Sequence, residues 1–154
     1  MAENNHILEV KNLRVSYHTY AGEVKAVRGV SFELETGKAL AIVGESGCGK
    51  SVTAKSIMGL IKKPQGEIKE GSEILYNNVN ILNYNKKQWQ AYKGGECAII
   101  FQDALAALNP TMRVGKQIME NLMAHKHMKK DEAKKEAVEM LRRVGIPEPE
   151  KRVK

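Results

Sequence analysis

A run of eight residues, GESGCGKS, carries the most recognisable chemistry in this chain. It begins at Gly44 and ends at Ser51, and it matches the pattern G-x-x-x-x-G-K-[ST] at every fixed position. Glycines let a backbone curl tightly, so that its N–H groups point at phosphate oxygens. Lys50 would add a positive charge for the outer phosphates of a nucleotide, and the Ser51 hydroxyl would bind Mg²⁺. The octet therefore predicts a phosphate-binding loop.

The octet indicates a phosphate-binding loop only where it follows a strand and precedes a helix. The sequence predicts both elements. The apolar run 39–43 predicts a buried strand, and the run 52–60 predicts a helix. A helix that opens near Lys50 adds unpaired N–H groups and the positive end of its dipole. We therefore expect the nucleotide site to include the whole octet and the residue after it: Gly44, Glu45, Ser46, Gly47, Cys48, Gly49, Lys50, Ser51 and Val52.

The composition is that of an ordinary globular chain, since 42% of the 154 residues are hydrophobic and 28% are charged. No apolar run approaches the ~20 residues that a membrane-spanning helix needs. The first residues lack the basic and apolar regions of a signal peptide, so we expect none. Two cysteines, Cys48 and Cys97, do not suggest a disulfide framework, which favours a reducing cytoplasm.

The net charge of +7 is unevenly distributed along the chain. Residues 111–154 contain 12 Lys and Arg against 7 Asp and Glu, and this segment therefore carries most of the excess. Contact with nucleic acid or an anionic membrane would suit such a charge. However, acidic residues alternate with the basic ones, and no aromatic side chain lies among them to stack on bases. We interpret the segment as a solvated helical face and expect no nucleic-acid partner.

The pattern of apolar residues predicts an antiparallel β region, then an α/β core, then helices. Segments 67–69 and 73–76 should form a small hairpin with each other, and the second buried strand, 97–101, should end at Gln102. We divide the chain into a core that contains the β region, the octet and Gln102, 1–110, and a helical part, 111–154. The predicted strands are 7–10, 13–17, 24–27, 30–35, 67–69, 73–76 and 97–101, and the predicted helices are 52–60, 86–92, 114–123 and 133–144.

A glutamine at the end of a buried strand offers an amide oxygen that can bind Mg²⁺ or orient an attacking water. Together with VGESGCGKS, the run FQD…LNP…RVG.QI resembles the ATP-binding subunits of ABC transporters. The likeness is greatest to the oligopeptide and dipeptide importers, with their nickel-importing relatives, and it covers essentially the whole chain. It implies an α/β P-loop NTPase core with an N-terminal antiparallel β subdomain and the start of a helical subdomain.

The resemblance also implies cofactors, partners and residue roles. ATP and Mg²⁺ would be the cofactors, and Lys50 and Gln102 would serve catalysis, with Ser51 and Gln102 as metal ligands. Tyr17 matches the aromatic residue that stacks on adenine. The implied partners are the permease subunits, a second ATPase subunit and, indirectly, a solute-binding protein, at the cytoplasmic face of the membrane. Residues 103–113 match the segment that faces the permease, although Ala104 stands where the family commonly has proline.

Three further elements of this family do not occur in the 154 residues: the LSGGQ-type signature, an apolar run that ends in Asp-Glu, and a switch histidine. We therefore expect a fragment or a truncated product, the N-terminal part of an importer ATPase, that is inactive alone. One alternative is a truncated chain that binds nucleotide without turnover. Another is a different P-loop enzyme such as a small kinase, although no arginine-rich lid lies near the octet. The solute, peptide or nickel, stays open.

Overall fold

The computed structural model describes residues 5–103 and 107–154. Contacts within the chain define two compact units, Met1–Gln90 and Ala91–Lys154. The first unit holds the sheet and the octet, and the second holds the long helices. The sequence division at residue 110 stays a prediction about domains.

An antiparallel sheet forms the centre of the first unit. Its five strands in the described residues are β1 (His6–Thr19), β2 (Gly22–Glu35), β3 (Gly66–Ile68), β4 (Glu73–Tyr76) and β5 (Val79–Asn80). β1 and β2 form one long hairpin, and the other edge of β1 pairs with β3 and β4. The antiparallel β region predicted before the octet is therefore confirmed.

The predicted hairpin of 67–69 with 73–76 is wrong. Tyr17 of β1 lies opposite Gly66 of β3, whereas Leu8 of β1 lies opposite Tyr76 of β4. β3 and β4 thus follow one another along the same edge of β1 and do not pair with each other in the described sheet. Each short segment pairs along its whole length with the 14-residue strand β1, which offers a ladder edge long enough for both.

Strands predicted separately at 7–10 and 13–17 form one strand with a bulge. Asn12 has a left-handed backbone (φ 48°), and the register of β1 against β2 shifts between Val10 and Leu13. The N–H of Asn12 donates to the Ser31 hydroxyl oxygen of β2 at 2.8 Å, which satisfies a group that the bulge removes from the ladder. The bulge keeps the apolar side chains on the buried face, where Val10, Leu13 and Val15 are at most 1% exposed.

The two apolar segments predicted to be buried strands are exposed. Leu40 and Val43 retain 47% and 87% of their accessible surface, and Ile100 retains 95%. Neither 39–43 nor 98–101 belongs to a strand ladder in the described part of the chain. An all-apolar strand is buried only when it has strands beside it and layers on both faces. Since the described residues supply no such neighbours, the expectation of burial is wrong.

Helix α1 spans Lys50–Ile57 and α2 spans Lys86–Ala91. α1 ends three residues before the predicted boundary because Gly59 adopts a left-handed conformation (φ 58°). The N–H of Gly59 donates to Ser56, and that of Leu60 donates to Lys55, which is the Schellman pattern of a helix end. A short 3₁₀ turn, Ile81–Asn83, precedes α2, and an irregular turn, Tyr92–Glu96, follows it.

Three helices form the core of the second unit: α3 (Val114–Lys126), α4 (Lys130–Arg143) and α5 (Pro149–Arg152). The predicted helical spacing is confirmed, and the core contains Leu122, Ala133, Ala137, Leu141 and Val153. α5 lies in a polar segment that contains two prolines, yet its neighbour Val153 is only 6% exposed. None of the described helices has the length and apolar character needed to cross a membrane.

Candidate phosphate-binding site

The octet curls around the ammonium group of its own lysine. Nζ of Lys50 donates to the carbonyl oxygens of Gly44 at 2.8 Å and Glu45 at 2.6 Å. It also lies 3.7 Å from Sγ of Cys48. These acceptors belong to the loop itself, so the positive charge is held inside the curl.

The loop approaches the sheet at Gly49, where only glycine fits. Gly49 is buried with φ 99°, and a Cβ built on it would lie 2.7 Å from the carbonyl oxygen of Ala26 in β2. Such a contact is shorter than real Cβ atoms show, and the left-handed φ is itself unfavourable for other residues. The second fixed glycine of the pattern is therefore required by packing against β2 as well as by the turn.

Thr53 fixes the first turn of α1 and was not singled out from the sequence. Its hydroxyl donates to the carbonyl oxygen of Gly49 at 3.0 Å, beside the helical bond from its own N–H at 2.9 Å. Thr53 is 4% exposed, so this contact is shielded from water. The sequence feature that could have indicated this bond is a hydroxyl residue four positions after Gly49, within reach of its carbonyl oxygen. Ser51 lies on the opposite, exposed side, and its hydroxyl has no hydrogen-bond partner among the described residues.

A cavity of about 800 Å³ opens beside the loop, between β2 and the exposed segment 40–43. Its walls are mainly apolar, with Val30 and Phe32 of β2 facing Leu40 and Ile42. The loop residues 47–50 line one part of it. Charged phosphates do not suit apolar walls. We therefore place the candidate site at the loop side of this cavity rather than against its apolar walls.

The structure gives different surroundings to the other predicted site residues. Tyr17 is half-buried in β1, with its ring over Gly66, and it does not line the cavity beside the loop. Gln102 belongs to the second unit and is exposed, directly after Phe101. Of the residues predicted for the site, the octet and Val52 form one continuous cradle in the first unit, while Ala104 lies outside the described residues.

A charged cluster joins the β1–β2 turn to the region of β3. Lys69 pairs with Glu23 at 2.9 Å and with Glu67 at 2.7 Å, and His18 lies 3.2 Å from Glu67. A hydrogen bond from Ser16, and then one from Lys69, lowers the pKa of Glu23 to about 2. Hydrogen bonds to Glu67 and Glu23 raise the pKa of Lys69. The cluster keeps the hairpin end in place, and its members are too far apart in sequence to be predicted as a group.

In the second unit, one glutamine side chain braces the turn that precedes α3. Nε2 of Gln117 donates to the carbonyl oxygens of Asn109 at 3.0 Å and Met112 at 2.8 Å. Its Oε1 accepts from the N–H of Asn109 at 3.0 Å. Gln117 is the glutamine of the run RVG.QI, but the sequence indicated no role for it, because its partners are backbone groups that only the folded turn brings together.

The ABC transporter family model matches residues 27–154 of this chain. The chain belongs to the ABC transporter family. Among curated relatives, the dipeptide transport ATP-binding protein DppD of Lactococcus lactis subsp. cremoris is 55% identical over 97% of this chain and 42% of its own length. The oligopeptide transport ATP-binding protein OppD of Bacillus subtilis is 54% identical over 96% of this chain and 41% of its own length. This ABC transporter chain thus spans less than half the length of these relatives.

Solved structures support the same fold. A dimeric bacterial ABC transporter cassette aligns with a TM-score of 0.70 and 22% identity, over 88% of this chain and 56% of that one. A post-hydrolysis state of the cassette, bound to ADP and phosphate, aligns with a TM-score of 0.66 and 21% identity. The α/β fold class of an ABC transporter ATPase, which the sequence resemblance implied, is confirmed.

Proposed function

We propose that this chain provides the nucleotide-binding part of a peptide importer's ATPase subunit. The observation that carries the proposal is the cradle of residues 44–52 around Lys50, whose ammonium is already held by two carbonyl oxygens. Phosphate oxygens are acceptors of the same kind and would replace those carbonyls. The names of the relatives, dipeptide and oligopeptide transport ATP-binding proteins, favour peptide over nickel as the solute.

Each part of the cradle would have a defined task with Mg·ATP. Lys50 would bind the outer phosphates, and the N–H groups of the loop and of the first turn of α1 would donate to phosphate oxygens. The exposed Ser51 hydroxyl would bind the cation. Gln102 stays a predicted ligand. When bound, Mg²⁺ would neutralise part of the negative charge on the phosphates. Tyr17 would stack on adenine through its ring.

Hydrolysis would also need groups that this chain's 154 residues do not contain. Neither a carboxylate pair after an apolar run nor an LSGGQ-type signature occurs in the sequence. The chain would therefore bind nucleotide, and catalysis would depend on further sequence and on a second ATPase subunit. Residues 103–113 would contact the permease at the cytoplasmic face of the membrane, and a solute-binding protein would act through that permease.

The test combines nucleotide binding with partner contact. Calorimetric titration of the folded chain with Mg·ATP should show saturable binding, and no binding would contradict the proposal. A photoreactive residue in place of Leu108, which is 42% exposed, should crosslink to a permease subunit in membranes. Binding without such crosslinks would favour the second candidate, a chain that binds nucleotide without turnover. The observation that favours it is that the 154 residues contain neither a carboxylate pair after an apolar run nor an LSGGQ-type signature.

A further inference from the structure

We propose that Gln117 is a positioning residue that fixes the turn of residues 108–112, here called the brace turn, as a preformed surface for the membrane partner. The inference rests on the proposed function, because the partner is the permease proposed above. What is new is the assignment of a role to Gln117, whose side chain itself need not touch the partner. The role would be to hold the backbone of the brace turn in one conformation before docking.

The side-chain amide of Gln117 uses both of its ends on the brace turn. Its oxygen accepts one backbone N–H, from Asn109, and its nitrogen donates to two carbonyls, those of Asn109 and Met112. A primary amide can accept and donate at once, which neither a carboxylate nor an ammonium can do. The three bonds satisfy polar backbone groups at both ends of a turn that contains Pro110.

Asn109 completes the turn from within. Its Oδ1 accepts the N–H of Thr111 at 3.0 Å and the Thr111 hydroxyl at 2.8 Å. The N–H of Met112 donates to the carbonyl of Asn109 at 3.1 Å. These bonds are local to the turn, whereas those of Gln117 connect the turn to α3. Gln117 is therefore the residue that transmits the orientation of the helix to the turn.

α3 is itself held firmly at this end. Gly115 is buried, and a Cβ built on it would lie 1.9 Å from the carbonyl oxygen of Val153. No larger residue fits there without moving the backbone, so α3 and the segment after α5 are in close contact. Val153 belongs to the helical core of the second unit. The brace turn is thus attached, through Gln117, to a helix that packs closely against the core of that unit.

The side chains of the brace turn remain available to a partner. Leu108 is 42% exposed, and Thr111 is exposed as well. The backbone N–H and C=O groups bonded by Gln117 and Asn109 already have hydrogen-bond partners. A partner can therefore bury the apolar side chain of Leu108 without leaving those polar groups unpaired. A preformed turn also loses less conformational entropy on docking than a flexible one. This is the advantage that Gln117 would provide.

Hydrogen exchange on the 154-residue chain tests the positioning step without any partner. Gln117→Ala should speed exchange of the Asn109 amide by about tenfold, because the bond that this N–H donates to the side chain is lost together with two supporting bonds. Gln117→Glu keeps an oxygen that can accept the N–H of Asn109, but it replaces the donating NH₂ group with a carboxylate oxygen that repels the two carbonyls. Exchange of the Asn109 amide should therefore stay fast in this variant. Lys116→Ala, at the exposed neighbouring position on α3, is the matched control and should leave this amide unchanged.

Crosslinking in membranes then tests the functional step. With the photoreactive residue at position 108, Gln117→Ala should reduce permease crosslinks several-fold, whereas Lys116→Ala should not. Affinity for Mg·ATP should be equal in all three chains, since a general folding defect would lower it. Unchanged exchange at Asn109, or unchanged crosslinking in Gln117→Ala, overturns the role of Gln117 alone. A lack of crosslinks in the parent chain overturns the docking role and the proposed function together.

Discussion

The ammonium group of Lys50 lies 2.8 Å from the carbonyl oxygen of Gly44, six residues earlier in the chain. This bond closes the loop on itself and places the charge at its centre. A nucleotide that entered the loop would therefore exchange a backbone carbonyl for a phosphate oxygen as the partner of Lys50. A charged hydrogen bond of this kind contributes more to binding than a neutral one.

Lys50→Ala should weaken binding of Mg·ATP by roughly 10- to 100-fold, because a hydrogen bond to a charged group contributes about 1.5–3 kcal/mol. Calorimetric titration of the folded variant measures the change. Lys55→Ala provides the control, since Lys55 is an exposed lysine of the same helix. Equal affinity in the Lys50 variant and the parent chain would show that the loop is not the nucleotide site.

Cys48 should be alkylated faster than Cys97, and Mg·ATP should protect it. Cys48 is exposed in the loop, whereas Cys97 is half-buried in the second unit. A nucleotide in the loop would cover the Cys48 thiol and leave Cys97 unaffected. Mass spectrometry after maleimide labelling, with and without Mg·ATP, gives both rates. If Mg·ATP does not slow the labelling of Cys48, the proposal that the phosphates bind in the loop is contradicted.

Tyr17→Ala should weaken ATP binding, whereas Tyr17→Phe should leave it unchanged, because stacking on adenine uses the ring and not the hydroxyl. The ring of Tyr17 also covers Gly66, so the alanine variant removes a contact within the sheet. Thermal unfolding of each variant should therefore be measured beside the titrations. A phenylalanine variant that binds as poorly as the alanine variant, at unchanged stability, would disprove stacking.

Glu23 should make stability depend on pH in the acid range. Its folded-state pKa of about 2 lies below its ordinary value of 4.5, so the unfolded chain binds the proton more readily. The stabilisation is therefore present above pH 4.5 and is lost as the pH falls through about 2. Glu23→Gln should lower the unfolding temperature slightly at neutral pH, and the difference should vanish in acid. Glu35→Gln, at the other end of β2, serves as the control.

The 154-residue chain alone should release no phosphate from ATP at an appreciable rate. The reason is that its sequence lacks both the carboxylate that would activate water and the signature motif that completes a site in a dimer. A coupled phosphate assay measures turnover, with Lys50→Ala as the blank. A rate of about 1 s⁻¹ or more, within the ordinary range of enzymes, that disappears in the blank would contradict this expectation.

The sequence predicted best those structural features whose deciding contacts join residues that are close together along the chain. The octet specifies its own turn, since Gly47 and Gly49 take left-handed conformations and Lys50 bonds to carbonyls within six residues. The β1–β2 hairpin and the helices α3 and α4 also follow from local apolar patterns. In these cases the deciding contacts lie within the segment that carries the pattern.

The sequence failed where the deciding contact lies far along the chain. Segments 67–69 and 73–76 have the length and composition of a hairpin, yet a much earlier strand, β1, pairs with both regions. Segment 39–43 has the composition of a buried strand, yet burial depends on neighbours that the pattern does not reveal. The role of Gln117 was missed for a related reason, since an amide side chain shows no preference until the backbone around it is folded.

β1 pairs with β2 along one edge and with β3 and β4 along the other. This arrangement has a consequence for how the chain folds during its synthesis. The hairpin with β2 can form once Glu35 has emerged from the ribosome, but the opposite edge of β1 must wait until β3 and β4 have been made, ending at Tyr76. During that interval the N–H and C=O groups along this edge have no ladder partner, and a free strand edge invites pairing with other chains. We expect nascent chains that stall before Tyr76 to be the form of this protein that chaperones bind and that aggregates.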